Sequence, residues 1–146
     1  MFRTILVSYD GSDHATRALA TAIRLAGELG ASLHVAHSPQ IDTPATLAGP
    51  FVGELQIPLT QEDIAEIVAN ARVRITELVA EQGGTLASCE IVRGDPARNT
   101  LRMAEAIGAD LIVMGRRGLG AFGALALGSV SQEVSKRATC AVLTVA

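Results

Sequence analysis

The stretch Leu111-Ile112-Val113-Met114-Gly115-Arg116-Arg117-Gly118 decides how this chain folds. An apolar run that stops abruptly at a glycine reads as a strand buried on both faces. A Gly/Ala/Leu segment then leads to Gly128-Ser129-Val130-Ser131, and the chain closes on Ala141-Val142-Leu143-Thr144-Val145. The order is strand, small-residue loop, helix with hydroxyls in its first turn, strand. A backbone that must come close to phosphate oxygens is arranged in this way.

Upstream the same alternation recurs. Residues 3–9 form a compact apolar run, and Asp10-Gly11-Ser12-Asp13 is a turn ending in helix-capping residues. Ala15, Ala18, Leu19, Ala22, Ala26 and Leu29 follow at helical spacing, with Gly30 as the terminating glycine. Residues 32–38 predict a second strand. Residues 39–59 hold Pro39, Pro44, Pro50 and Pro58 with Gly49 and Gly53, and predict a long surface loop. Thr60 and Asp63 form a capping box ahead of an apolar stripe that ends at Gly83-Gly84. Thr85 to Val92 is a third strand, Asp95-Pro96 opens a third helix, and Asp110 to Met114 is a fourth strand. Residues 128–138 make the last helix, and 141–145 the last strand. Five strands alternate with four helices, and every connection is long enough to cross over. That predicts an α/β fold with one parallel sheet and helices on both faces. Ligands of such sheets bind beyond the carboxyl ends of the strands.

The totals agree with one domain spanning 1–146. The chain is 49% hydrophobic and 18% charged, which makes it globular, and its net charge of −3 argues against a general nucleic-acid binder. No apolar run reaches the ~18 residues of a membrane span. Met1-Phe2-Arg3-Thr4-Ile5 enters a strand directly and leaves no room for a signal peptide. Cys89 and Cys140 form no CxxC, lie in strand-like runs and fit a reduced, cytoplasmic setting.

The glycines are spaced Gly115-x2-Gly118-x9-Gly128-Ser129. Glycine lets backbone N–H groups approach an oxyanion, and the first turn of the last helix adds those of Ser129, Val130 and Ser131. Arg116 and Arg117 add a doubled positive charge. Two familiar motifs do not hold. Gly118-Leu119-Gly120-Ala121-Phe122-Gly123 matches GxGxxG, but a dinucleotide site expects an acid ~20 positions on, and that region is Leu143-Thr144-Val145. Gly123-x4-Gly128-Ser129 begins like a P-loop, but Ser129 stands where the lysine belongs, and the chain's one lysine is Lys136. A glycine-rich loop that merely packs tightly remains the alternative.

With these residues the sequence resembles the nucleotide-binding universal stress proteins. The resemblance rests on Ile5-Leu6-Val7-Ser8-Tyr9-Asp10-Gly11-Ser12, on Gly94-Asp95-Pro96, and on Gly115 through Ser131 to Val145, and it covers essentially the whole chain. It implies a flavodoxin-like (Rossmann-like) three-layer sandwich of strand order 3-2-1-4-5, a homodimer, and ATP or another adenine nucleotide as ligand. It places ribose and phosphates at Gly115, Gly118, Gly128, Ser129, Val130 and Ser131; Met114, Arg116 and Arg117 complete the nucleotide-binding set expected on this side. It places Ser8 and Asp10 at the end of the first strand and Ser38 beside the adenine. The chain departs from the family's frequent proline at Ser8 and Ala141, and from its aliphatic residue at Ser38.

Asp10 puts a carboxylate where phosphates would arrive. A Mg²⁺ or Mn²⁺ between them would remove the repulsion; the other reading is a turn aspartate bonded to its own backbone. His34 and His37 point to opposite faces of a strand and cannot share one ion, although His37 stands near the strand end. His14 reads as a surface residue. In order 3-2-1-4-5, Ala141–Val145 is an edge without proline or charge, open to pairing with a second copy. An FMN carrier would need aromatic rings, yet there is no Trp and one Tyr. A phospho-receiver would need an aspartate ending the third strand and a lysine ending the fifth. The leading expectation is a regulatory ATP-binding protein with little turnover. A slow metal-dependent ATPase or phosphate-transferring enzyme, and a nucleotide-free interaction protein of the same fold, are the alternatives.

Overall fold

The computed structural model describes residues 1–39, 41, 45–49, 53–117 and 127–146; Gly118 and the rest of the GxGxxG match lie outside them. The element order is β1 (Thr4–Tyr9), α1 (Asp13–Leu29), β2 (Ser32–His37), β3 (Ala45–Gly49), β4 (Gly53–Ile57), α2 (Gln61–Glu81), β5 (Ser88–Ile91), α3 (Pro96–Ile107), β6 (Leu111–Gly115), α4 (Ser129–Arg137) and β7 (Ala141–Val145).

The main sheet has the order β5-β2-β1-β6-β7, with every neighbour parallel. Counting only its own strands, this is the expected 3-2-1-4-5. Alternation along each strand feeds two cores. Ile5, Val7, Leu33, Val35, Leu111 and Val113 pack with Leu19, Ala22 and Ile23 of α1 and Ile75 and Val79 of α2. Leu6, Ala36, Ile112 and Met114 face the other way, against Ala97, Leu101 and Ala104 of α3 and Val134 of α4. Fully burying each large aliphatic side chain contributes about 1.5–3 kcal/mol.

Residues 39–59 differ from the expectation of a loop. Their backbone holds an antiparallel hairpin, β3 with β4, pairing Ala45 with Ile57 and Gly49 with Gly53. The prolines misled because they flank the paired segments in the sequence: Pro44 precedes β3, Pro50 follows it, and Pro58 follows β4. A proline beside a strand removes no ladder hydrogen bond.

Local chemistry sets the helix ends. Ser12 caps α1 by accepting from the Ala15 N–H, and Gly30 ends it with φ +63°. The Thr60–Asp63 capping box is present on α2. Asp95 caps α3 with Pro96 in the first turn, and Gly108 ends it at φ +62°. At the amino end of the sheet, Asp110 accepts from the backbone N–H groups of Arg3 (2.7 Å) and Thr4 (3.0 Å). These bonds hold its carboxyl below the usual carboxylate range. Cys89 and Cys140 are half-buried free thiols, each pushed up by burial. Among the described residues no helix is long and apolar enough to cross a membrane.

Candidate functional site

β1 lies between β2 and β6, so the chain leaves it to one side and later resumes on the other. The crevice of a doubly wound sheet opens where this reversal occurs, at the carboxyl ends of those strands. The paired positions there are Tyr9 with His37 and Ser8 with Met114, and Gly115 with Val145 one strand further. Asp10, Ser38, Gly115, Arg116 and the start of α4 are therefore brought to one end of the sheet.

The β6–α4 flank is tied together through backbone. The Arg116 N–H donates to the Val145 carbonyl (2.7 Å), and the Gly128 N–H donates to the Arg116 carbonyl (2.9 Å). Ser131, 2% exposed, turns its hydroxyl to the carbonyls of Gly115 (2.8 Å) and Arg116 (3.0 Å). Its one proton is thus spent inside the protein. Gly115 is buried beneath α1. A Cβ there would lie 2.9 Å from the Ala15 backbone nitrogen and 2.9 Å from the His14 backbone carbon. Close helix–strand packing is thus a sufficient reason for this glycine.

α4 begins at Gly128, which supplies no side-chain cap. Ser129 is exposed, and Val130 is half-buried against the second core. The first-turn N–H groups of a helix have no carbonyl a turn earlier to bond, so this end presents donors and the positive end of the helix dipole. Arg116 and Arg117 are half-buried beside it, and Arg116 Nε is shut off from water with no hydrogen-bond partner among the described residues. Met114, by contrast, is 3% exposed, and its side chain belongs to the core beneath the sheet.

At β1, the Ser8 hydroxyl turns towards α3 and pairs with that of Thr100 at 2.9 Å; Thr100 is 1% exposed. Asp10 Oδ1 accepts from the Ser12 N–H at 2.9 Å and so shapes the turn into α1. Among the described residues no group of three or more His, Cys, Asp or Glu side chains could by itself hold a metal. A divalent ion here would depend on ligand oxygens and water.

The β2–β5–α3 flank holds what the sequence reading missed. Asn99, in the first turns of α3, donates from Nδ2 towards Ser38 Oγ (3.0 Å) and the carbonyls of Val92 (3.2 Å) and Arg93 (3.2 Å). It joins the ends of β2 and β5 to the helix. The available signal was a polar residue inside an otherwise amphipathic helix, four positions after the Asp95 cap. Thr100 could have been read from spacing, since it shares the buried face of Ala97, Leu101 and Ala104. His14, expected at the surface, is half-buried under Gly115, with Nδ1 sealed and without a partner among the described residues. His37 bonds the Tyr9 carbonyl through Nδ1 at 2.7 Å. A carbonyl only accepts, so Nδ1 carries the proton and Nε2 is left as the acceptor in the neutral ring.

The fold is that of a doubly wound α/β protein whose strand order reverses at β1, between β2 and β6. The universal stress protein family matches residues 1–146, and the chain belongs to that family. It is 42% identical over 145 residues to a universal stress protein of Thermus aquaticus, covering 99% of each chain. It also resembles the structure of a universal stress protein in complex with cAMP, at 28% identity and a TM-score of 0.64, covering 99% of this chain and 96% of that one. The universal stress protein of Archaeoglobus fulgidus in complex with dAMP shares the fold at 21% identity and a TM-score of 0.65, covering 100% of this chain and 98% of that one.

Proposed function

We propose that the protein binds an adenine nucleotide, ATP foremost, across the carboxyl ends of β1, β2 and β6, as a regulatory ligand with little turnover. The observation that carries this reading is the start of α4, which has no side-chain cap and lies beside Arg116, whose Nε is sealed and has no partner among the described residues. Backbone donors, a helix dipole and a guanidinium converge where an oxyanion would be stabilised. The cAMP held by the structure at 28% identity supports the adenine assignment. Gly115, Arg116, Arg117, Gly128, Ser129, Val130 and Ser131 frame the ribose and phosphates, joined by Gly118. Asp10 would hold Mg²⁺ or Mn²⁺, which supplies charge neutralisation at the phosphates. Ser38 borders the base.

The active form is a homodimer joined along β7. The two outer edges of the sheet differ in a way that supports this. At β5 the Arg72 guanidinium donates to the Cys89 carbonyl on the sheet's edge, and Glu90 pairs with Arg102 at 2.6 Å. β7 carries no charge or proline, and Leu143 is 37% exposed. Sedimentation of Leu143→Lys should show a monomer; an unchanged dimer removes the interface from β7.

Mass spectrometry of small molecules released on denaturing the purified protein tests the ligand. An adenine nucleotide is expected. Calorimetry should then show ATP binding lost in Gly118→Val and weakened in Ser129→Ala; full binding in both refutes the site. Sustained metal-dependent phosphate release that Asp10→Ala removes would replace the regulatory reading with a slow ATPase.

A further inference from the structure

Ser88, His34 and Ser32 form a chain of side chains towards the amino ends of β5 and β2, away from the crevice at the carboxyl ends. Residues two apart on a strand share a face, so Ser32 and His34 stand together, and Ser88 pairs with His34 across the strands. Ser32 donates its one proton to the Arg3 carbonyl at 3.2 Å. The 3.1 Å contact between Ser32 Oγ and His34 Nε2 therefore needs the proton on Nε2. A neutral ring then has its lone pair at Nδ1, 2.7 Å from Ser88 Oγ, and the Ser88 proton points at it. Burial lowers the His34 pKa from 6.5, which leaves the ring mostly unprotonated at neutral pH. β5 is an outer strand of the sheet, and Ser88 is exposed on it. A serine whose proton is directed at a free imidazole, itself oriented by a third group, is arranged as a nucleophile with its base.

We propose that Ser88 is a covalent acyl-acceptor site for small uncharged esters and thioesters with good leaving groups, with His34 as its base and Ser32 as a positioning residue. Ser88 Oγ bonds to the carbonyl carbon as its proton passes to His34 Nδ1. The tetrahedral adduct collapses, and the bond from carbon to the leaving group breaks with its electron pair on that group, which takes the proton from His34. The products are an ester at Ser88 and a free alcohol or thiol. The Nε2 proton stays bonded to Ser32 throughout. Acyl transfer fits better than phosphoryl transfer. Two residues along β5, Glu90 pairs with Arg102 at 2.6 Å, so that guanidinium is already matched within the protein. A phosphoryl group needs cations for its oxygens, whereas a neutral carbonyl brings no charge to be matched.

The test treats the purified full chain with p-nitrophenyl acetate and maps acetylated serines by peptide mass spectrometry. Ser135, exposed on α4, is the reference. Ser88 should be labelled about a hundredfold faster than Ser135, at the lower end of what a general base supplies. His34→Gln should bring the two rates together. Ser32→Ala lets the ring move its proton to Nδ1, where Ser88 becomes the acceptor, and should slow Ser88 without changing Ser135; Ser32→Thr, which keeps the hydroxyl, should retain the wild-type rate. If the three side chains only satisfied one another, Ser88→Ala would lower the melting temperature and wild-type Ser88 would be labelled no faster than Ser135. That result, or a Ser88 rate unmoved in His34→Gln, overturns the proposal. Labelling of Ser88 by p-nitrophenyl phosphate and not by the acetate overturns the acyl assignment. Thermal melts show which variants are folded, and Ser32→Ala against Ser32→Thr decides if His34→Gln is not. No residue of the crevice takes part, so the result stands apart from nucleotide binding.

Discussion

Two serines stand on opposite flanks of the crevice and use the same hydroxyl in opposite senses. Ser131, at the start of α4, is 2% exposed and points its proton at the carbonyls of Gly115 and Arg116. Ser38, at the end of β2, accepts from Asn99. The first is a brace that locks the exit of β6 to the helix after it. The second is held by its neighbour with its own proton to spare. Residue type does not distinguish them; the neighbours' donor or acceptor character does. On the β6–α4 flank the Ser131 hydroxyl is spent inside the protein, and the start of α4 has no side-chain cap among the described residues. On the β2–α3 flank the Asn99 amide ties Ser38 to the ends of β2 and β5.

The brace can be broken most severely at Gly115. A Cβ there meets α1 backbone at 2.9 Å, and backbone yields less readily than a flexible side chain. Gly115→Val should lower unfolding free energy by about 3 kcal/mol or prevent folding, as overpacking at a fixed contact does. Urea denaturation measures it, and a change below about 1 kcal/mol would show that β6 and α1 can separate there. Next in size is Ser131→Ala, which removes the donor serving two carbonyls and should cost about 2 kcal/mol. Ser38→Ala, measured in the same way, should stay within about 0.5 kcal/mol. Equal losses at the two serines would erase the distinction between brace and ligand-facing group.

The frame that carries both flanks was legible because its signals are local and periodic. The run Leu111–Met114, the Thr60–Asp63 box, Asp95-Pro96, Gly30 and Gly108 each specify one element by spacing or cap chemistry, and each is found where expected. Alternation of strands and helices then leaves few topologies. The hairpin β3–β4 was not legible, because its prolines mark the ends of strands as readily as a loop. The serines' roles were not legible either. Ser131 depends on carbonyls fifteen and sixteen residues away, and Ser38 on an amide sixty-one residues away. Glycine is ambiguous in a different way: at Gly115, close packing against α1 and close approach to phosphate both demand the same residue.

A third hydroxyl pair sharpens the contrast at smaller scale. Ser8 and Thr100 share one hydrogen bond at the carboxyl end of β1, one hydroxyl donating and the other accepting. Thr100→Val keeps the shape and strands the Ser8 hydroxyl, for a cost of about 1 kcal/mol. Adding Ser8→Ala should recover most of it, since two apolar groups leave nothing unpaired. A double variant as unstable as the sum of both single changes would mean that the pair has a further polar partner.

The smallest expected effect lies where serines flank a titratable ring. His34 Nε2 is 3.1 Å from Ser32 Oγ, and Ser32 in turn donates to the Arg3 carbonyl at 3.2 Å. Ser32 is therefore the acceptor, Nε2 carries the proton, and Nδ1 accepts from Ser88 Oγ at 2.7 Å. Burial lowers the His34 pKa below 6.5, and a proton on Nδ1 would also require Ser88 to turn its own away. As pH falls, the unfolded chain takes up this proton before the folded one. The His34 contribution is complete above the unfolded value of 6.5, is lost as pH falls from there to the folded value, and is constant below that. Asp63 and Asp110 have pKa values lowered from 3.8, so their contributions are lost only in a more acidic window. Chemical denaturation of wild type and His34→Gln between pH 8 and 5 should give curves that diverge only below about 7. A wild-type curve that gains stability over that interval relative to the variant would reverse the assigned direction, and with it the arrangement in which Ser88 donates to the ring.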